Sequence, residues 1–180
     1  MKKLAKNGLK ILKCFHLVAA SAWLGGAFSL LVLNINNQAA ASEGVLYGLN
    51  IASHIVDMWV VVAMGAMGCL FTGLLYGIFS GWGFFQHKWL IIKWLLTAAA
   101  ILSGTFFLGV WEQNMLELSR DLGLDALSDP AYLAVKAKHL YLSLVQVGSL
   151  LFMVIISVFK PWGRRKNARL KANLLQAGGE

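Results

Sequence analysis

The sequence predicts an all-α protein, a four-helix transmembrane bundle. Three observations carry that expectation. Of 180 residues, 58% are hydrophobic and only 13% charged, against about 45–50% and about 25% in ordinary soluble domains. The apolar residues collect into four stretches, each at least as long as the roughly 20 residues that cross the hydrocarbon core as a helix. Backbone groups in lipid must pair within their own segment, so apolar runs of that length are helices. Lys and Arg gather at the two chain ends, which supplies a topology signal.

The first span covers about residues 9–34 and the second about 49–79. The polar, small stretch "NINNQAAASEG" separates them. The third span covers about 89–111, after the short Gly- and aromatic-rich turn "SGWGFFQHK", and the fourth about 135–159. Residues 112–134 are expected to form the one substantial loop, rich in Glu112, Glu117, Asp121, Asp125 and Asp129, with a short surface helix where Met115, Leu118 and Leu122 recur at helical spacing. A basic tail, 160–180, follows. The whole chain, 1–180, reads as a single integral membrane domain with no second domain and no repeat.

The lysines at 2, 3 and 6 followed by an apolar run mimic a signal peptide. The run extends to about Leu33, beyond the roughly 7–15 residues of a typical signal core, so it reads as an uncleaved first helix. Lys2, Lys3, Lys6, Lys10 and Lys13 precede the first span, Lys88 lies in the turn between spans two and three, and Lys160, Arg164, Arg165, Lys166, Arg169 and Lys171 follow the fourth. The positive-inside rule then puts both termini in the cytoplasm, in the inner membrane of a bacterium, with Lys136 and Lys138 as outer-side exceptions. The net charge of +8 suits contact with anionic membrane lipid. No nucleic-acid motif is interleaved with the basic runs. Trp82, Phe84, Phe85, Trp89, Trp111 and Trp162 lie near span ends, as an interfacial belt would.

Each span carries one histidine near its start: His16, His54, His87 and His139. Because the chain alternates direction, His16 and His87 fall toward the cytoplasmic side, His54 and His139 toward the outer side. Facing helices of bundles build cofactor sites from inward side chains, and haem iron accepts imidazole axially. A haem b held by His54 and His139, with a second site of His16 with His87 or Lys93, is the leading expectation, for a protein passing electrons to a membrane or periplasmic redox partner. Ionisable groups within membranes are functional candidates by default. The bland reading, histidines bonded to headgroups or carbonyls, stands beside it, most strongly for His87 at the interface. Ser143 and Gln146 share the face of His139, Asp57 lies three residues after His54, and Trp89, Lys93, Thr97, Ala100 and Gly104 form one polar and small face of span three. The His16 face continues through Ala20, Trp23 and Ala27, where Trp23 can flank a flat ligand. The stripe Gly65, Cys69, Gly73 and Gly77 reads mainly as close helix packing.

"FHLVAASAWLGGAF", with His16, Trp23, Gly25 and Gly26, resembles the first helix of small bacterial four-helix membrane proteins that include the CopD copper-resistance family and the HemJ-type protoporphyrinogen oxidases. "HKWLIIKWLL", with Trp89 four residues before Lys93, resembles their third helix. The resemblance implies haem binding and activity at His16 and Lys93. The chain has no arginine soon after Gly26, so the resemblance reaches the layout further than the oxidase chemistry. Copper is the alternative cofactor, through Cys14 with His16 and through Met58, Met64, Met67 and Cys69, since soft ligands suit Cu(I). The third reading is a non-catalytic membrane subunit, with a homo-oligomer among its forms.

Overall fold

The computed structural model describes residues 5–80 and 84–162, all of them in helices, turns or short connections with no strand. Lys2, Lys3, Trp82 and the basic residues from Arg164 to Lys171 lie outside the described residues. Four helices are long and apolar enough to cross a membrane, which makes the chain a multi-pass membrane protein. α1 is Lys6–Asn36, extended by a 3₁₀ turn Asn37–Ala39. α2 is Glu43–Phe79, α3 is Lys88–Ser128 and α4 is Pro130–Phe159. Consecutive helices run antiparallel. The end where α1 starts and α4 stops is called the near end below, and the opposite end the far end.

Helix starts follow from local chemistry. Ser42 caps α2 by accepting from the Val45 N–H at 3.3 Å. Asp129 caps α4 by accepting from the N–H groups of Ala131 and Tyr132, with Pro130 at the first helical position, where its missing N–H costs nothing.

The third span differs from the expectation. The helix does not stop near residue 111: it continues regularly through Gly109–Leu122 and closes in 3₁₀ turns over Gly123–Ser128. Residues 112–134 are therefore helical for most of their length. Charge ends the hydropathy run at Glu112, but Met115 and Ser119 keep a buried face turned to the bundle. Gly123 ends the regular helix with φ of 56°, a conformation open to glycine at low cost, and a side chain there would strike Glu43.

α1 packs against α2 and α4, and α3 packs against α4 and, over its far half, against α2. Trp23, Ala27, Leu30, Val61, Ala66, Ala100, Val147 and Leu150 form the central core. Leu46, Met115, Ala126 and Tyr132 close the far end. Between helices in lipid, close packing rather than water exclusion supplies the attraction, and the expected small-residue stripe does this in part. A methyl on Gly65 would lie 2.7 Å from the Trp23 backbone, and one on Gly68 would lie 2.8 Å from Ala19 Cβ. Farther along, Gly73 faces the Trp94 ring of α3 and Gly77 lies under Phe84. Trp94 and Phe84 also meet, with ring centroids 5.8 Å apart, so the near halves of α2 and α3 are joined largely through aromatic side chains.

Two stretches are π-helical: Val56–Met67 in α2 and Gly104–Leu108 in α3. The wider turns re-aim the side chains that follow, which is why such segments recur at functional sites.

Candidate functional site

The polar side chains turned into the bundle fall into three groups, a part-buried one in the near half and two buried ones in the far half. In the near half, His16 of α1 faces Thr72 of α2 at 2.7 Å through Nδ1. Thr72 has one hydroxyl proton, which it donates to the Gly68 carbonyl at 2.6 Å. With the hydroxyl turned to that carbonyl, its oxygen accepts from His16 Nδ1, the tautomer in which Nε2 presents a lone pair. Tyr76 meets the His16 ring edge-on at 6.3 Å and donates its hydroxyl to the Leu9 carbonyl, tying α2 to the start of α1. Lys93 of α3 reaches across to Ser157 of α4, donating at 2.7 Å, and lies within electrostatic reach of His16 and Cys69. Thr97, one turn on, points at Met153 Sδ. Thus His16 and Lys93, picked out on different helices, share one region.

Trp23 is 3% exposed, and its indole N–H has no acceptor. It lies seven residues deeper than His16, about 10 Å along the helix. The expected inward face of α1 is borne out: Trp23 and Ala27 are buried. So is that of α4, where His139, Ser143 and Gln146 are all buried. Trp89 and Ala100 are buried on the inward face of α3, so the Trp89 side chain, one residue into the helix, is turned into the bundle.

In the far half, Asn34 Nδ2 of α1 donates to His139 Nδ1 at 3.3 Å. An amide nitrogen can only donate, so His139 carries its own proton on Nε2 in this arrangement. His54 is half-buried and lies within electrostatic reach of Asp57. The polar partners of the two far histidines are therefore Asn34 and Asp57. His87 is the residue from which α3 starts, its carbonyl accepting from Leu90 and Ile91, and its ring lies 6.1 Å from that of Trp89.

Glu112 was missed as a site residue, because its charge marks the end of an apolar run. It is 2% exposed and faces Asp57 of α2. The signal that could have found it is the helical spacing from Glu112 through Met115 to Ser119, all buried. A third network, Asn37 Nδ2 to Asn50 Oδ1 at 2.9 Å and Asn50 Nδ2 to Tyr132 Oη at 3.3 Å, joins α1, α2 and α4 at the far end.

The soft donors are dispersed. Cys14, Met58, Met64 and Met67 are exposed on the outside of the bundle, whereas Cys69 turns toward the near polar group. Among the described residues, no group of three or more His, Cys, Asp and Glu side chains is arranged to hold a metal ion. Comparison of the chain with family models, with curated proteins and with solved structures gives no match.

Proposed function

We propose that this protein is a b-type haem protein of the bacterial inner membrane that passes electrons, with His16 as an axial ligand. The observation that carries the reading is the 2.7 Å contact between His16 Nδ1 and Thr72 Oγ1. Thr72 holds the Nδ1 proton and leaves Nε2 directed away from its hydrogen bond, the arrangement that orients a metal-binding imidazole. Two further features support a ligand in the same half of the bundle. Lys93 supplies a cation placed to meet a carboxylate such as a propionate, and Trp23 supplies a buried N–H with no acceptor. Burying a polar group without a partner costs free energy that a ligand atom would recover.

The haem would supply a one-electron couple, and the chain an imidazole, a cation and a low-dielectric setting. In this reading both termini are cytoplasmic, because the basic residues cluster at the chain ends, and a membrane or periplasmic protein is the redox partner. His54 and His139, each engaged with its own polar neighbour, are left out of the ligand set.

The test is one pair of absorbance spectra of detergent-purified protein, oxidised and reduced, for the wild type and His16→Ala. A Soret band that is lost or shifted in His16→Ala supports the reading. A band unchanged in position and haem stoichiometry removes His16 from it. A colourless preparation that carries copper would replace haem by copper.

A further inference from the structure

The far half holds a polar layer with one side chain from each helix. Asn50 of α2 and Tyr132 of α4 are hydrogen-bonded, and these two helices run in the same direction. Seven residues on from each stand Asp57 and His139, which places the two at about one depth. Gln146 of α4 binds Ser103 of α3 at 3.1 Å, and α3 runs the opposite way. Seven residues outward from Gln146 is His139, and nine outward from Ser103 is Glu112, within about one turn of the same depth. Asn34 of α1 completes the layer through its bond to His139. Asn34, Glu112 and His139 are each 3% exposed or less.

Two features of this layer require something besides the protein atoms. Glu112 Oε1 and Oε2 are buried and have no hydrogen-bond partner, and the Asp57 carboxyl faces α3 one turn earlier, its Oδ2 3.9 Å from where a side chain on Gly109 would begin. Two carboxylates offer only acceptors, so the pair closes only when one of them carries a proton. Independently, Asn34 of α1, which meets His139 through Nδ2, is 2% exposed and its Oδ1 lacks a donor. A buried carboxylate pair without a proton would place two like charges together in a low dielectric.

We infer that Asp57 and Glu112 form a proton-binding site within the membrane, exchanging with the solution at the far end through His54. Uptake of one proton from water converts two facing carboxylates into a hydrogen-bonded acid and carboxylate with one fewer negative charge. Release returns that proton by way of the His54 imidazole, which stands one turn nearer the far end than Asp57. The ionisable group beside the pair is His54 on α2, and His139 on α4 lies at about the same depth. α1 contributes only the neutral Asn34, and Lys136 on α4 is turned to Gln38. The site requires no haem, so it stands or falls separately from the redox reading.

The test uses the full chain in lipid nanodiscs, followed by infrared difference spectroscopy through a pH titration in H₂O and D₂O. The expected result is a protonated-carboxyl band that shifts in D₂O, is lost in Glu112→Gln and is changed in Asp57→Asn, with helix content by circular dichroism equal in all three proteins. Should Glu112→Gln fail to fold, loss or displacement of the band in Asp57→Asn carries the same conclusion. The inference is overturned if the wild type shows no protonated-carboxyl band while folded, or if both variants retain it unchanged. It is also overturned if sodium, compared with choline, abolishes the band at constant pH, which would make the layer a sodium-ion site.

Discussion

Replacing Gly65 by alanine should open the α1–α2 contact. The added methyl would lie 2.7 Å from Trp23 Cα, 2.7 Å from its Cβ and 2.8 Å from its backbone nitrogen. Carbon atoms prefer about 3.5–4.0 Å, so relief requires the helices to part by about 1 Å. No flexible side-chain end can absorb the move, because the obstructing atoms are mostly backbone. Overpacking of this kind costs about 1–3 kcal/mol. For a chain of this length each kcal/mol corresponds to about 2–4 °C in midpoint, so a loss of several degrees is expected in a detergent thermal melt. The matched control is Gly25→Ala, on the same helix pair but with nothing within 4 Å of the added methyl. It should melt with the wild type or slightly above, since alanine favours helix over glycine. A Gly65→Ala protein as stable as the wild type, or a Gly25→Ala protein equally destabilised, would refute the close crossing at Trp23.

Further substitutions address other parts of the fold. Thr72→Val keeps the side-chain shape but removes the acceptor that fixes His16, so any haem spectrum should shift or lose intensity while helix content by circular dichroism stays constant. Asn50→Ala strands partners on α1 and α4, and should lower stability by about 1–3 kcal/mol in a denaturation titration. Asp129→Ala removes an N-cap that accepts from two backbone N–H groups, at a cost of about 1 kcal/mol, read in the same titration.

The spans and the inward faces of α1 and α4 were legible because those helices are regular, so that residues such as Trp23 and His139 fall where a period of 3.6 puts them. The face of α2 was less so. From Val56 onward the turns are π-helical, and spacing counted at 3.6 no longer tells which residues align. The extent of α3 was misjudged for a different reason. Hydropathy registers Glu112 as the end of the lipid-compatible run, whereas the helix continues because Met115 and Ser119 still find the bundle. Even the near group was only half readable: the sequence brings out His16 and Lys93 as polar residues in apolar helices, but the pairing of His16 with Thr72 spans 56 positions and depends on how α1 and α2 cross.

The polar groups of the near and far halves are far enough apart to act separately, and that separation is measurable. His16 and Asn34 are eighteen residues apart on one helix, which at 1.5 Å per residue is about 27 Å, close to the roughly 30 Å thickness of the hydrocarbon core. Between them lie Trp23, Ala27 and Leu30 on α1, packed on Val61, Ala66, Ala100 and Val147, with no charged side chain in that cluster. A charge change at Glu112 would act on a group beside His16 by about 0.6 kcal/mol at an effective dielectric of 20. For a one-electron couple that corresponds to a few tens of millivolts, since tenfold in the equilibrium constant is about 59 mV. The effects of His16→Ala and Glu112→Gln should therefore add: His16→Ala alters the haem spectrum and leaves the infrared carboxyl band in place, and Glu112→Gln does the reverse. Sites beyond about 7–10 Å that share no partner normally behave so. Loss of both signals in either single variant, with the helices intact, would show that the apolar layer between them does not isolate the two halves.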